Sequence, residues 1–306
     1  MTTGYIMHPD FLKHEMGSHH PECPERIQAI NDQLISSGLD QFLQHLDAPL
    51  ATEEQLALVH SPEHIAFVKE RSPAQGYFML DGDTIMNPFT WQTCLRAAGA
   101  AIAGVDAVMN GAVENVFCAV RPPGHHAEPT RSMGFCIFDN VAIAARYAME
   151  EYGIERVAII DFDVHHGNGT EAAFLHDERV LMCSFFQHPF YPYSGLNQAQ
   201  NMVNIPLPAT TRGDVVRSIV EEQWLPRLRD FEPQLIIISA GFDAHREDDL
   251  GQMGLVEDDY VWMTNRLKEI AQQYAQGRIV SCLEGGYNLS ALGRSVVAHV
   301  KALADI

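Results

Sequence analysis

Acidic and imidazole side chains alternate at the end of an apolar stretch near the middle of this 306-residue chain. Residues 157–160 are apolar and mostly β-branched, and Asp161, Asp163 and His165 follow them at every second position. On an extended backbone these three side chains point to the same side. Crowded carboxylates repel each other unless a cation lies between them, and these oxygen and nitrogen ligands suit zinc or a similar divalent ion. On its own, however, the pattern is more typical of a strand end with satisfied polar groups.

Further polar clusters begin where other predicted strands end: His125 and His126 after 116–120, Asp243 after 235–239, and Glu284 and Tyr287 after 279–283. In parallel α/β sheets, functional groups collect beyond the carboxyl ends of the strands. We therefore expect these side chains to meet in one site.

The residue types in this predicted site can each be given a chemical role. Asp243 would join Asp163 and His165 as a third ligand and leave coordination positions open, as catalytic zinc requires. The two histidines at 125–126 can act as general base and acid, although either could instead bind the metal. Tyr287 could donate its hydroxyl group to a developing oxyanion, or it could be a packed aromatic residue.

Strands and helices alternate along the chain. Strands are predicted at 5–7, 116–120, 157–161, 180–185, 235–239 and 279–283, and helices from 25 onward and at 63–70, 90–110, 140–152, 212–230, 257–275 and 289–303. Residues 72–88 and the segment from 186 to 209 are predicted to be loops. This order predicts an α/β fold, a mostly parallel sheet with helices on both faces. Because there is no repeat or linker, we expect residues 1–306 to form a single domain.

Composition narrows the class of protein. No run of eighteen apolar residues occurs, so we expect no membrane span, and the first residues do not resemble a secretory signal. Six scattered cysteines without a CxxC pair suggest reduced thiols and a cytoplasmic location.

A net charge of −20 argues against nucleic-acid binding. It would attract cationic ligands, or serve only as a solvated acidic surface. Whether the chain forms a homo-oligomer stays open.

Several motifs together resemble the histone deacetylase superfamily, which includes acetylpolyamine amidohydrolases and acetoin-utilization proteins. They are His-Pro-Glu-Cys-Pro-Glu-Arg (20–26), Arg-Pro-Pro-Gly-His-His-Ala (121–127), Met-Gly-Phe-Cys (133–136), Asp-Phe-Asp-Val-His-His-Gly-Asn-Gly-Thr (161–170), Ala-Gly-Phe-Asp-Ala-His (240–245) and Leu-Glu-Gly-Gly-Tyr-Asn (283–288). The likeness extends over nearly the whole chain. Asn168 and Glu284 resemble the class II and bacterial branch.

The resemblance implies the arginase–deacetylase fold, an eight-stranded parallel sheet between helices. It also implies zinc-dependent removal of acetyl or short acyl groups from the lysine ε-amino group of a protein, a peptide or a related acylated amine. The implied roles are zinc ligands at Asp163, His165 and Asp243, a general base at His126 oriented by Asn168, its electrostatic or acid partner at His125 oriented by Asp161, and an oxyanion donor at Tyr287. One zinc per chain is expected, with the choice between zinc and iron in the cell left open.

The resemblance also implies substrate contacts. These are tunnel walls at Phe135 and Tyr191, a carbonyl acceptor at Gly134, an acid at Asp83 that grips the substrate backbone, and an acetate-channel arginine at Arg26. Potassium ions are expected at two places: the first at Asp161, Asp163, His165, Ser184 and Phe185, the second at the carbonyls of Phe174, Asp177 and Val180, with Asn201.

Three differences from the family bear on the substrate. Leu250 stands where the polyamine-specific member has a glutamate, which weakens the alternative of an acetylpolyamine amidohydrolase. Tyr191 replaces a more common phenylalanine, and Tyr193 replaces a glycine at the rim. Asp163-Val-His165 argues against a two-manganese ureohydrolase of the same fold. A non-catalytic binder of acyl-lysine is the alternative of another class, and an activity assay on the metal-loaded protein distinguishes it from a hydrolase.

Overall fold

A parallel sheet of eight strands lies at the centre of the computed structural model, which describes residues 2–197 and 199–306. Its strands, with a short hairpin formed by β3 and β4, are β1 (Thr3–Ile6), β2 (Leu43–Leu46), β3 (Phe78–Met79), β4 (Ile85–Met86), β5 (Asn115–Cys118), β6 (Val157–Asp161), β7 (Val180–Gln187), β8 (Met202–Leu207), β9 (Leu235–Ala240) and β10 (Ile279–Leu283). The order across the sheet is β2-β1-β5-β10-β9-β6-β7-β8, and every neighbouring pair is parallel. The eight-stranded parallel sheet expected from the resemblance is confirmed.

Helices cover both faces of this sheet. They are α1 (Glu25–Ser36), α2 (Glu53–Leu56), α3 (Pro62–Glu70), α4 (Thr90–Met109), α5 (Asn140–Tyr152), α6 (Asn168–Phe174), α7 (Gly213–Ile219), α8 (Leu225–Phe231), α9 (Glu257–Tyr274) and α10 (Leu289–Ala304). A π-helical segment, Val220–Trp224, joins α7 to α8, so the helix predicted at 212–230 is continuous. α10 packs against α1 and α9, whereas α4 packs against α5. No helix of the described residues is long and apolar enough to span a membrane.

The inner strands are those that the sequence predicts best. All residues of β5, β6, β9 and β10 are buried. A parallel strand covered on both faces needs a continuous apolar run, and this is the signal that the sequence carries. The predicted bounds therefore agree with the structure to within two residues.

The two edge strands, β2 and β8, are absent from the sequence prediction. The assignment of residues 202–207 to a loop is wrong, because they form β8. Half of β2 is exposed, and β8 contains Pro206, which cannot donate a backbone hydrogen bond. A strand with one neighbour needs neither full burial nor a complete ladder of hydrogen bonds, so its sequence lacks the continuous apolar run.

The strand order determines which loops can meet. β5, β10, β9 and β6 are consecutive neighbours at the middle of the sheet. Because they are parallel, the loops that follow them leave the same edge. The polar clusters predicted after these four strands therefore come together.

Helix α4 lies unusually close to the chain segment that precedes α2. The N–H group of Ala51 donates a hydrogen bond of 2.8 Å to the carbonyl of Leu95 in this helix. Gly99 lies at the contact, where a Cβ atom would be only 1.9 Å from the carbonyl oxygen of Pro49. This approach of two backbones requires a glycine.

We expect Gly99→Ala to destabilise the fold by about 2–3 kcal/mol, because the added methyl group overlaps backbone that cannot rotate away. Gly82→Ala is the control, since a Cβ atom there would have no neighbour within 4 Å. Urea unfolding of both variants measures the effect. Equal stabilities would contradict the close packing of this helix.

Candidate active site

Asp163, His165 and Asp243 form a compact group beyond the carboxyl ends of β6 and β9. The Nδ1 atom of His165 lies 3.0 Å from Asp163 Oδ1 and 3.3 Å from Asp243 Oδ2. One potential ligand atom of each residue lies within 4.8 Å of those of the others. The structure thus brings together the three residues predicted to bind a metal.

The donor set of this group fits a divalent cation. Asp243 Oδ2 is buried and, among the described residues, accepts no hydrogen bond, while Oδ1 accepts one from Val164 N–H. A buried carboxylate oxygen without a donor is costly unless a cation pairs with it. Two carboxylates and one imidazole are a three-ligand set of the kind that catalytic zinc uses.

Burial and mutual proximity shift the pKa values of the residues in this group. Burial raises the pKa of Asp243 to about 7, and the charge of Asp163 contributes to the increase. Burial alone would lower the pKa of His165, but the two neighbouring carboxylates raise it to about 10. A metal ion bound here must displace that proton, so metal binding releases protons.

Glycines make room for the ligand carboxylates. Asp163 Oδ2 accepts a hydrogen bond of 2.9 Å from Gly285 N–H. A Cβ atom at Gly285 would lie 1.9 Å from Asp243 Oδ2 and 2.6 Å from Asp163 Oδ2. The loop after β10 therefore leaves room for both carboxylates only while residue 285 has no side chain.

His125 and His126 lie beside this group with different partners. His125 Nδ1 lies 2.9 Å from Asp161 Oδ2, and His126 Nδ1 lies 2.8 Å from Asn168 Oδ1. Burial opposes a charge on both rings, but the adjacent carboxylates raise the pKa of His125 well above its usual value. Burial and the neighbouring histidines hold the pKa of His126 well below its usual value. The pair therefore combines a charged and a neutral imidazole, which is how acid and base roles are separated.

A narrow cavity of about 250 Å³ leads to these groups. It is lined by Asp83, His126, Gly134, Phe135, His165, Phe190, Tyr191, Asp249, Leu250 and Tyr287. Of the residues expected at the tunnel and rim, Asp83, Gly134, Phe135, Tyr191 and Leu250 line it, whereas Arg26 and Tyr193 do not. The ring of Phe135 meets that of Tyr287 edge to face at 5.7 Å between centroids. Tyr193 does not line the cavity, is 74% exposed and has a φ of 62°, a conformation usual for the glycine that it replaces.

Arg26 lies behind the cavity wall. Its guanidinium group is 4.9 Å from the centre of the Tyr287 ring. It donates hydrogen bonds of 2.7 Å to the carbonyl of Gly286 and 2.5 Å to that of Glu284. Glu22 balances the buried charge through a contact of 3.1 Å. Arg26 thus holds the backbone that carries Tyr287.

Two buried carboxylates of the site were not assigned a role from the sequence. Glu284 accepts hydrogen bonds from the N–H groups of Gly124 (2.7 Å) and His125 (3.1 Å). Asp248 accepts them from the N–H groups of Tyr287 (2.5 Å) and Asn288 (2.9 Å). Glu284 directly follows a predicted strand, and this position in the sequence is a signal that it belongs to the site. Asp248 lies within an acidic run whose other members are exposed, and nothing in the sequence distinguishes it.

The residues expected around two potassium ions occupy distinct places. Ser184 pairs with Asp161 across β6 and β7, and Ser184 and Phe185 are buried. The carbonyl oxygens of Phe174, Asp177 and Val180 converge on one point, since each accepts a hydrogen bond from Asn201 Nδ2, at 2.8, 3.1 and 3.2 Å. Potassium binding at either place stays a prediction.

Comparison with known proteins reveals extensive similarity. A family model described as histone deacetylase domain matches residues 20–303. An uncharacterized protein of Synechocystis is 42% identical over 306 residues, covering 97% of this chain and 98% of that protein. A probable deacetylase of Archaeoglobus fulgidus is 37% identical over 298 residues, covering 94% of this chain and 82% of that protein. The crystal structure of the HDA15 HD domain matches with a TM-score of 0.94 at 33% identity, covering 99% of this chain and 90% of that one. The arginase–deacetylase fold is thereby confirmed.

We expect Gly285→Ala to abolish tight zinc binding, because the new methyl group would displace the carboxylates of Asp243 and Asp163. Zinc content after dialysis, measured by mass spectrometry, tests this. Tyr287→Phe is the control, since it alters a nearby side chain without touching either carboxylate, and it should retain zinc. A Gly285→Ala protein with normal zinc content would contradict the assignment of these ligands.

Proposed function

Because this chain belongs to the histone deacetylase family, we propose that it is a zinc-dependent amidohydrolase that removes acetyl or short acyl groups from acylated lysine or a related acylated amine. One observation carries this proposal. The candidate metal ligand His165, the neutral imidazole of His126 and the hydroxyl-bearing ring of Tyr287 all line the same narrow cavity. Its volume of about 250 Å³ and its aromatic lining suit a slender acylated side chain.

The proposed metal site consists of Asp163, His165 and Asp243, with one zinc ion. Zinc held there would act as a Lewis acid toward the amide carbonyl and the attacking water. The orphaned oxygen of Asp243 and the crowding of two carboxylates around one imidazole support this assignment.

His126 is proposed as the general base. Its Nδ1 atom is engaged by Asn168, so Nε2 is the nitrogen left to take a proton from water. Its low pKa keeps the ring neutral and able to accept that proton. His125, held by Asp161 and charged, would stabilise negative charge beside it and could later supply a proton to the leaving amine.

The cavity walls would hold the substrate. Phe135 and Tyr191 would enclose the aliphatic part of the acylated side chain, and the carbonyl of Gly134 would accept its N–H group. Asp83 would bind the substrate backbone at the rim, and its carboxylate is held by hydrogen bonds from Gly134 N–H (3.2 Å) and the Thr84 hydroxyl (2.9 Å). Leu250 adds an apolar surface and no charge, which favours acyl-lysine over acetylpolyamines.

Arg26 is proposed to line the path by which acetate leaves, and potassium ions to bind at the two sites described above. We also propose that the chain is a single cytoplasmic domain that binds neither nucleic acid nor membranes. Its acidic charge of −20 and its free cysteines support this proposal.

The first test compares zinc-loaded and metal-free protein on a panel of acetyl-lysine peptides, longer acyl-lysine peptides and acetylpolyamines. We expect hydrolysis of acyl-lysine only with zinc, its loss on chelation, and slower turnover of acetylpolyamines. Equal hydrolysis without metal would refute zinc dependence. Binding of acyl-lysine without turnover would favour the non-catalytic alternative, and a preference for acetylpolyamines would overturn the substrate assignment.

Tyr287→Phe tests the oxyanion role. The ring and its packing remain, but the hydroxyl donor is lost, so we expect turnover to fall roughly 10²–10³-fold. Substrate affinity should change little, because the hydrogen bond strengthens mainly in the transition state. Single-turnover kinetics and equilibrium binding, with zinc content checked, measure both quantities. Normal turnover would eliminate this role for Tyr287.

A further inference from the structure

The two active-site histidines are held by chemically different groups. His125 Nδ1 faces the carboxylate of Asp161, whose oxygens both accept hydrogen bonds. His126 Nδ1 faces the side-chain amide of Asn168. An amide has an acceptor oxygen at one end and a donor NH₂ group at the other, so either end could in principle face the ring. The position of Asn168 alone therefore does not determine where His126 carries its proton.

Groups behind Asn168 decide which end faces the histidine. Asn168 Nδ2 lies 2.8 Å from Glu128 Oε1, 3.3 Å from the carbonyl oxygen of His126 and 3.4 Å from Met133 Sδ. All three are acceptors, so they require the NH₂ end of the amide. Glu128 makes the shortest of these contacts and is the only charged partner, and a charge-assisted hydrogen bond is stronger than a neutral one.

Glu128 is well placed for this role although it does not line the cavity. Its N–H group donates to the carbonyl of Arg131 at 2.9 Å, and Arg131 N–H donates back at 3.2 Å. His60 Nδ1 lies 3.1 Å from the carbonyl oxygen of Glu128. The main chain of Glu128 is thus held on both sides, and its half-buried side chain extends to Asn168.

The orientation of Asn168 has a direct chemical consequence. With its oxygen toward the ring, Asn168 can only accept, so His126 carries its hydrogen on Nδ1 and has a lone pair on Nε2. A reversed amide would donate to Nδ1, leaving the hydrogen on Nε2 and no site for a proton from water. The orientation of the Asn168 amide therefore decides whether Nε2 of His126 can accept a proton.

We propose that Glu128 is a positioning residue, which orients the Asn168 amide and thereby sets the tautomer of His126. Its kinetic effect rests on the proposed function, in which His126 is the base, whereas its effect on the tautomer does not.

The kinetic test begins with Glu128→Ala. Removing a residue that orients an active-site group through a hydrogen bond typically costs about 10–100-fold in activity. We expect a loss near 10-fold, because two weaker acceptors for the NH₂ group of Asn168 remain. The loss should appear in kcat and not in KM. Arg131→Ala, which removes an exposed neighbour of Glu128 3.4 Å away, is the matched control and should behave as the wild type. Wild-type turnover in Glu128→Ala would overturn the proposal.

Introducing Glu128→Ala into an Asn168→Asp protein distinguishes a role of Glu128 in positioning Asn168 from a merely structural role of Glu128. A carboxylate has no donor end, so Asp at 168 enforces the Nδ1–H tautomer without help and is repelled by Glu128. Glu128→Ala should therefore reduce turnover when residue 168 is Asn but should maintain or raise it when residue 168 is Asp. An equal loss in both backgrounds would mean that Glu128 only stabilises the loop, and the proposal would be wrong.

The tautomer can be read directly from ¹⁵N chemical shifts of labelled histidines, with the signals of His126 assigned from their disappearance in His126→Ala. We expect Nδ1–H in the wild type and a shift toward Nε2–H in Glu128→Ala. Nε2–H in the wild type, or identical spectra for both proteins, would overturn the proposal. This readout needs no turnover, so it still tests Glu128 if the proposed function fails on every substrate.

Glu128→Gln is the variant to use if Glu128→Ala does not fold. It lacks the charge of Glu128 and should show the same shift toward Nε2–H to a smaller extent. An unchanged spectrum would count against the proposal.

Discussion

Carboxyl groups buried at the ends of the central strands are the constraint around which the rest of the structure is arranged. Asp161, Asp163, Asp243 and Glu284 have no exposed surface. Buried carboxylates are tolerated only when hydrogen bonds, protons or cations compensate them. Here backbone N–H groups, two histidines and the proposed metal ion supply that compensation. The same need explains the glycines in the neighbouring loops, which let backbone donors approach the carboxylate oxygens.

A second set of buried charges supports the loop that carries Tyr287. Arg26 and Arg121 share the carboxylate of Glu22, and Arg26 also binds two carbonyls of the loop that carries Tyr287. Asp248 also holds this loop, by accepting hydrogen bonds from the N–H groups of Tyr287 and Asn288. Because both supports act on the backbone, they position the loop without using the hydroxyl group of Tyr287, and the residue lines the cavity.

How well the sequence predicts each strand depends on how deeply that strand is buried. Strands covered on both faces, such as Leu235–Ala240, need continuous apolar sequence and were predicted with nearly correct bounds. The edge strands Leu43–Leu46 and Met202–Leu207 tolerate polar residues and a proline, and they were missed. Helix Asn168–Phe174 was also missed, since its first residues belong to the Gly-rich motif of the site and resemble a turn.

The sequence by itself determined the kinds of group in the site, because strand ends are marked locally and the residues after them share one edge of a parallel sheet. The tertiary structure decided which atoms face one another. Glu128 reaches Asn168 across 40 positions, Asp248 reaches Tyr287 across 39, and Glu284 reaches the His125 backbone across 159. Hydrogen bonds over such separations have no characteristic spacing along a chain. The orientation of an amide, the charge state of an imidazole and the crowding of two carboxylates depend on three-dimensional packing, which a single sequence does not specify locally.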